Sequence, residues 1–220
     1  LTIDSPGASK SIDIVGADAS TNTLTVTTGN IILNGTDNFE FKRTSALPVL
    51  TAASGSITAG ATTLTTWVTN AATTLTVSAP ISGATVVNKS GAGTLTLSGA
   101  NLYTGSTILN EGTLKMGASN SLYSMTPAGV QTGRGALSIN NPTAAFDIGG
   151  FNNIIGALNV ISGSLTNTGV GGSLTTTGAL TLGTSTAVGG AYGSAPSINT
   201  GTGVLNLGGD VTFNANNDPN

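Results

Sequence analysis

Apolar and polar residues alternate along much of the chain in short segments that begin with a glycine. In residues 93–97, Leu95 and Leu97 alternate with Thr94 and Thr96, so the two residue types point to opposite faces of an extended strand. Alternation with a period of two over four or five residues predicts half-buried β-strands. The same template recurs at 93–97, 112–116, 135–139, 156–160, 178–182 and 203–207.

The spacing of this template predicts how the strands are arranged. Its successive glycines are separated by 19, 23, 21, 22 and 25 residues. A period that varies by a few residues is typical of a solenoid whose coils carry loops of different length. The chain is therefore expected to be a β-solenoid of roughly ten coils, with Leu stacked on Leu and Thr on Thr from one coil to the next.

Turn residues divide the predicted strands. The clearest turn signals are Asn34-Gly35, Gly149-Gly150 and Gly171-Gly172. Proline cannot donate a ladder hydrogen bond, so prolines such as Pro142 are expected between strands and not inside them.

Composition supports an all-β chain and excludes several kinds of site. The chain is 38% apolar with a net charge of −3, which is unlike a disordered polyelectrolyte. Its 32 glycines and many threonines disfavour helices, and 4% aromatic residues are few for the alternative all-β fold, a β-sandwich. Without Cys or His, thiolate and imidazole metal sites and His-based acid–base catalysis are excluded. Calcium-binding solenoid repeats need aspartates that recur in register, and Gly208-Gly209-Asp210 matches that pattern once and incompletely, so we expect no cofactor and no metal.

Two classes of partner are not expected. The chain has no apolar run long enough for a membrane-spanning helix. Its six basic residues are scattered, which leaves no basic surface for nucleic acid.

Residues 89–114 carry a more specific pattern. GAGTLTLSGAN occupies 91–101, Tyr103-Thr104-Gly105 follows, and Gly-Thr-Leu returns at 112–114. In these residues the chain resembles the autotransporter-associated β-strand repeat of long bacterial passenger domains. The resemblance implies a right-handed parallel β-helix, displayed extracellularly or on the bacterial cell surface. Residues 1–220 are accordingly expected to form a single β-solenoid domain, as a segment or repeating unit of a longer chain or fibre.

The alternation also predicts which residues fill the core and which could join subunits. An uncapped β-helix leaves an unpaired strand edge that can pair with another coil. Neither residues 1–4 nor residues 211–213 resemble a charged or proline-rich cap, so either self-association, end to end or lateral, or continuation of the chain is expected. The candidate assembly edges are Leu1, Ile3, Val211 and Phe213, and the predicted core ladder consists of Leu95, Leu97, Leu114, Leu137, Leu158, Leu180 and Leu205.

Three function classes follow from these features. The first is a non-enzymatic structural or adhesive β-solenoid without a catalytic residue. The alternative is a carbohydrate-binding or carbohydrate-cleaving module, because Trp67 offers a flat ring and Asp37 with Glu40 supplies paired carboxylates. Surface glycans would then be its partners, and further candidates for ring stacking are Tyr103, Tyr123 and Tyr192. The third class is a passive stalk.

Overall fold

The computed structural model describes residues 2–4, 31–34, 39–43, 57–59, 63–68, 71–72, 74–83, 86–122, 134–183 and 195–214. These residues form nineteen β-strands and no helix. Every strand pair among them is parallel. The residues of the sequence predictions that lie outside the described residues are Leu1, Gly35, Asp37, Tyr123 and Tyr192.

The strands stack in three columns, which follow one another in the order A, B, C around each coil. Column A contains β3 (Phe39–Arg43), β5 (Thr63–Val68), β8 (Val86–Ser90), β10 (Ser106–Leu109), the first halves of β12 (Leu137–Asp147) and β14 (Leu158–Thr166), β16 (Leu180–Leu182) and β19 (Val211–Phe213). Column B contains β6 (Thr74–Val77), β9 (Thr94–Leu97), β11 (Gly112–Met116), the second halves of β12 and β14, and β17 (Ser197–Asn199). Column C contains β1 (Thr2–Asp4), β2 (Ile31–Asn34), β4 (Ile57–Ala59), β7 (Ile81–Ser82), β13 (Asn152–Ile155), β15 (Ser173–Thr176) and β18 (Val204–Asn206). The predicted all-β, parallel solenoid is confirmed, while the number of coils stays a prediction.

Strands β12 and β14 run through columns A and B because each of them bends at the corner. The register between them shifts within residues 139–145. Pro142 lies in this stretch of β12 and is exposed, so the expectation that prolines stand between strands is wrong here. Residues 141–143 have no ladder partner in the neighbouring strands, and the missing N–H of proline therefore costs no ladder hydrogen bond.

Column C is continued between β7 and β13 by asparagine side chains. The Asn101 Oδ1 atom accepts a hydrogen bond from the Ile81 amide at 2.8 Å, and its Nδ2 atom donates to the Ser121 carbonyl. One step further, the Leu122 amide donates to Asn153 Oδ1 at 3.1 Å. Both asparagines are buried, and their side chains supplement the backbone hydrogen bonds from Leu102 to Ile81 and from Asn120 to Asn152 at this side of the solenoid.

The core runs along the axis and is lined by the inward residues of all three columns. Of the predicted ladder, Leu205 is partly buried and packs against the core. The other six members are buried, namely Leu95, Leu97, Leu114, Leu137, Leu158 and Leu180.

Which leucines stack on one another depends on the column in which each strand lies, and not on the order of the template along the chain. Leu95 stacks on Leu114 in column B, whereas Leu137 stacks on Leu158 in column A. The expectation that each template leucine lies over the next is therefore wrong between Leu114 and Leu137, because Leu114 pairs with Phe146. Leu205 stands in column C, over Leu174. The template marks inward-facing leucines, but it recurs on different sides of the coil.

Candidate functional site

Trp67 is the aromatic residue on the outer surface of column A. Strand β5 alternates between buried and outward positions, and Trp67 faces outward with 40% of its surface exposed. Its backbone pairs with Lys42 of β3 on one side and with Ser90 of β8 on the other. A Cβ atom on Gly91 would lie 3.0 Å from Trp67 Cδ1, so the indole packs against the corner at Gly91. The exposed part of the residue faces outward on column A.

The structure also describes two other candidate glycan residues, Glu40 and Tyr103. Glu40 lies in β3, and its backbone pairs with Thr65, two residues before Trp67 on the same strand. Tyr103 is 2% exposed, and its hydroxyl lies 2.8 Å from Thr107 Oγ1. The buried ring of Tyr103 cannot stack on a sugar, so this candidate is wrong.

The end of the described stack at β19 exposes apolar residues. Val211 and Phe213 pair with Leu180 and Leu182, which places them at inward ladder positions. They are nevertheless 42% and 75% exposed, because no described strand covers β19 on its other side. Ile3, near the opposite end, lies in β1 and pairs with Leu33 of β2.

Lys89 is a buried cation that sequence reasoning missed. It occupies an inward position of β8 and has no exposed surface. Its Nζ atom donates to the carbonyl oxygens of Ser90 at 3.0 Å, Gly91 at 2.6 Å and Glu111 at 3.0 Å. Burial lowers the pKa of Lys89 to about 8, and the charge of Glu111 opposes this shift. The signal was present in the sequence, since the alternation of β8 places Lys89 on the same face as Val87.

Asp147 is a second buried charge, at the corner between columns B and C. Its carboxylate accepts hydrogen bonds from the Gly149 amide at 2.9 Å, the Thr168 amide at 2.9 Å and the Thr168 hydroxyl at 2.6 Å. Lys115 Nζ, on the preceding coil, lies 3.2 Å from its Oδ2 atom. Burial would raise the pKa of Asp147, but the hydrogen bonds from Thr168, Gly149 and Lys115 outweigh burial and lower it.

At the same corner, the side chain of Asn167 forms hydrogen bonds to neighbouring coils. Its Oδ1 atom accepts from the Gly150 amide at 2.8 Å, and its Nδ2 atom donates to the carbonyls of Gly171 at 2.7 Å and Thr200 at 3.1 Å. The turns predicted at Gly149-Gly150 and Gly171-Gly172 are confirmed, since all four glycines have positive φ. The polar groups of this corner are used to join coils.

The described residues contain no cluster of three or more acidic, His or Cys side chains that could hold a metal ion. They also contain no helix with the length and apolarity that crossing a membrane requires.

Comparison with known proteins gives two similarities. Residues 87–116, from β8 to the end of β11, match the family described as the passenger-associated-transport-repeat. The chain is also 37% identical over 92 residues to the adhesin BmaC autotransporter of Brucella suis biovar 1 (strain 1330). That alignment covers 41% of this chain and 2% of the relative, so the chain spans a small part of that protein. No solved structure matches the chain.

These similarities bear out the resemblance to passenger-type repeats that the sequence indicates at residues 89–114. They also bear out the expected location, which is extracellular or on the bacterial cell surface.

Proposed function

We propose that this chain, which carries the passenger-associated-transport-repeat at residues 87–116, is a non-enzymatic structural and adhesive β-solenoid. The observation that carries the proposal is that buried polar side chains form hydrogen bonds between coils. Lys89, Asp147 and Asn101 are buried and hydrogen-bonded to neighbouring coils, which suits a scaffold and leaves these groups unavailable to a substrate. The similarity to an adhesin supports a role in attachment.

Attachment is tested by display of the chain on a bacterium that does not adhere by itself. Retention of these cells on epithelial cells and on abiotic surfaces is compared with that of cells displaying an unrelated β-solenoid of matched length. Higher retention is the expected result. Equal retention would contradict the adhesive role and favour a passive stalk.

The second part of the proposal is self-association through open strand edges. Val211 and Phe213 stand at inward ladder positions with exposed side chains, and the outer edge of β19 has no partner among the described strands. A parallel coil placed on this edge would bury both residues and pair the free backbone groups. Such a contact joins the β19 end of one subunit to the opposite end of the next. Because the two contacting surfaces differ, each added subunit exposes a new β19 edge, and the assembly grows into a filament.

Sedimentation and electron microscopy of purified protein test this assembly. The variant Phe213→Asp places a charge at the proposed contact, and it should shift filaments or oligomers to single particles. The matched control is Val170→Asp, because Val170 is 90% exposed and lies outside the inward ladder. An unchanged assembly in Phe213→Asp, or equal loss in both variants, would contradict end-to-end stacking.

Trp67 supports the alternative of a carbohydrate-handling module. An exposed ring beside polar strand positions offers a stacking platform for a sugar. A glycan array should then show binding that Trp67→Ala abolishes and Leu102→Ala preserves, because Leu102 is similarly exposed, at 46%. Cleavage would additionally depend on Asp37 and Glu40, and would disappear in Glu40→Gln.

A further inference from the structure

The environment of Lys89 is a site built from the backbone of two coils. Ser90 and Gly91 follow Lys89 at the end of β8, whereas Glu111 precedes β11 one coil later. Three carbonyl oxygens thus surround one ammonium group that has three N–H bonds. Each donor has an acceptor, so the arrangement matches the hydrogen-bonding capacity of a primary ammonium ion.

The residues paired with Lys89 on either side in column A carry no charge that would balance the ammonium group. Lys89 is paired in register with Thr66 of β5 and with Leu109 of β10, and both of these residues are buried. A charge in such surroundings is costly unless it is fully hydrogen-bonded. The carbonyls of Ser90, Gly91 and Glu111 meet that condition.

We propose that the carbonyl oxygens of Ser90, Gly91 and Glu111 form an internal site for a primary ammonium ion. The side chain of Lys89 fills this site from within the chain and joins two successive coils of the 87–116 repeat. The pKa of about 8 leaves the Lys89 amine mostly protonated at neutral pH, as the site requires. The site is independent of what the outer surface binds.

Chemical rescue tests the site directly. The substitution Lys89→Ala removes the three outer methylenes and the amine, a volume that n-propylammonium reproduces. At pH 7, n-propylammonium chloride should raise the Tm of Lys89→Ala in a saturable manner. Neither n-propanol nor sodium chloride at the same concentration should do so. The control is Leu109→Ala, which opens an apolar cavity next to Lys89 in column A and should show no rescue by n-propylammonium.

Equal stabilisation of Lys89→Ala by n-propanol would overturn the proposal, because the space would then be merely apolar. Absence of any rescue in a folded Lys89→Ala protein would overturn it as well. If Lys89→Ala does not fold, the wild-type protein provides the test through its lysine amines. In ¹⁵N-labelled protein at neutral pH, one lysine NH₃⁺ signal should be protected from exchange with water. A spectrum without such a signal, or a Lys89→Met variant that keeps it, would contradict the site.

Discussion

At the scale of single residues, the solenoid keeps its buried charges by surrounding them with backbone groups. Lys89 is held by three carbonyl oxygens, and Asp147 accepts two backbone amides, a hydroxyl and a lysine. Both sets of partners include a neighbouring coil, so each charge acts as a cross-link along the axis. Removal of either charge should therefore affect stability more than removal of an exposed charge such as Asp210.

The carboxylate of Asp147 should make the protein sensitive to acid. Its pKa is lower in the folded protein than the ordinary 3.8, so the unfolded chain takes up the proton first as the pH falls. The stabilisation is thus complete above about pH 4 and is lost as the pH falls further. The variant Asp147→Asn should be less stable at pH 7 by about 1–3 kcal/mol, and the difference from wild type should shrink toward pH 3. Urea denaturation across this range measures it, and a difference independent of pH would contradict the role of the charge.

Lys89 should also make stability rise with pH, but in the alkaline range. Its pKa is about 8 in the folded protein and 10.5 in the unfolded chain, so the unfolded chain binds more protons between these values. Stability from this group therefore rises as the pH increases through that window. The difference in free energy of unfolding between wild type and Lys89→Met should grow from pH 8 to 10.5. A constant difference over the window would show that burial does not lower the pKa of Lys89.

At the scale of strands and turns, glycines at the corners allow successive coils to approach closely. Gly112 has φ of 66° at the start of β11, and a Cβ atom there would overlap the carbonyl oxygens of Gly91 and Gly93 on the preceding coil. Gly171 has nearly the same conformation, with φ of 68°, but a Cβ atom there would meet nothing within 4 Å. Comparison of the two positions therefore distinguishes the cost of a positive φ from the cost of overlap with a neighbouring coil.

Alanine at these two positions should therefore have different costs. Gly171→Ala introduces only the strain of positive φ, about 1–2 kcal/mol. Gly112→Ala adds an overlap with backbone atoms that cannot rotate away, and should lose roughly 2–5 kcal/mol in total. Thermal unfolding of both variants gives the comparison, and equal losses would mean that the corner at Gly112 has room to relax.

The alternation predicts the strands of the six template segments, but it does not identify others such as β10 and β15, nor the column in which a strand lies. Alternation gives the inward face of each segment, and the paired glycines at 149–150 and 171–172 give the turns. The column of a strand depends on the length of chain between corners, which varies, so Leu114 lies on Phe146 and not on Leu137. The partners of Lys89 and Asp147 lie partly on other coils, 21 or 22 residues away, and alternation alone does not identify them.

At the scale of the whole molecule, each coil contacts mainly the coils before and after it. Among the described residues, the strands of column A from β3 to β19 pair only with those of the preceding and following coils. Stability is then approximately a sum over coils and over the interfaces between neighbours. A local defect should accordingly open a few coils and leave the others folded.

Leu97 is the position at which this independence is best tested. It is fully buried in column B and stacks between Val77 and Met116. The substitution Leu97→Asp buries a carboxylate without a partner, which is costly enough to open the coils around it. Hydrogen exchange should increase strongly in β6, β9 and β11, while β14 and β15 keep most of their protection.

The neighbouring residue supplies the control for this prediction. Thr96 faces outward on the same strand, so Thr96→Asp adds the same charge at a position that water can reach. It should leave exchange in all of these strands nearly unchanged. If Leu97→Asp instead abolished protection in β14 and β15 as well, the described coils would unfold as one cooperative unit, and the approximation of additive coils would fail. Protection of β9 in Leu97→Asp equal to that in Thr96→Asp would contradict the inward register of column B.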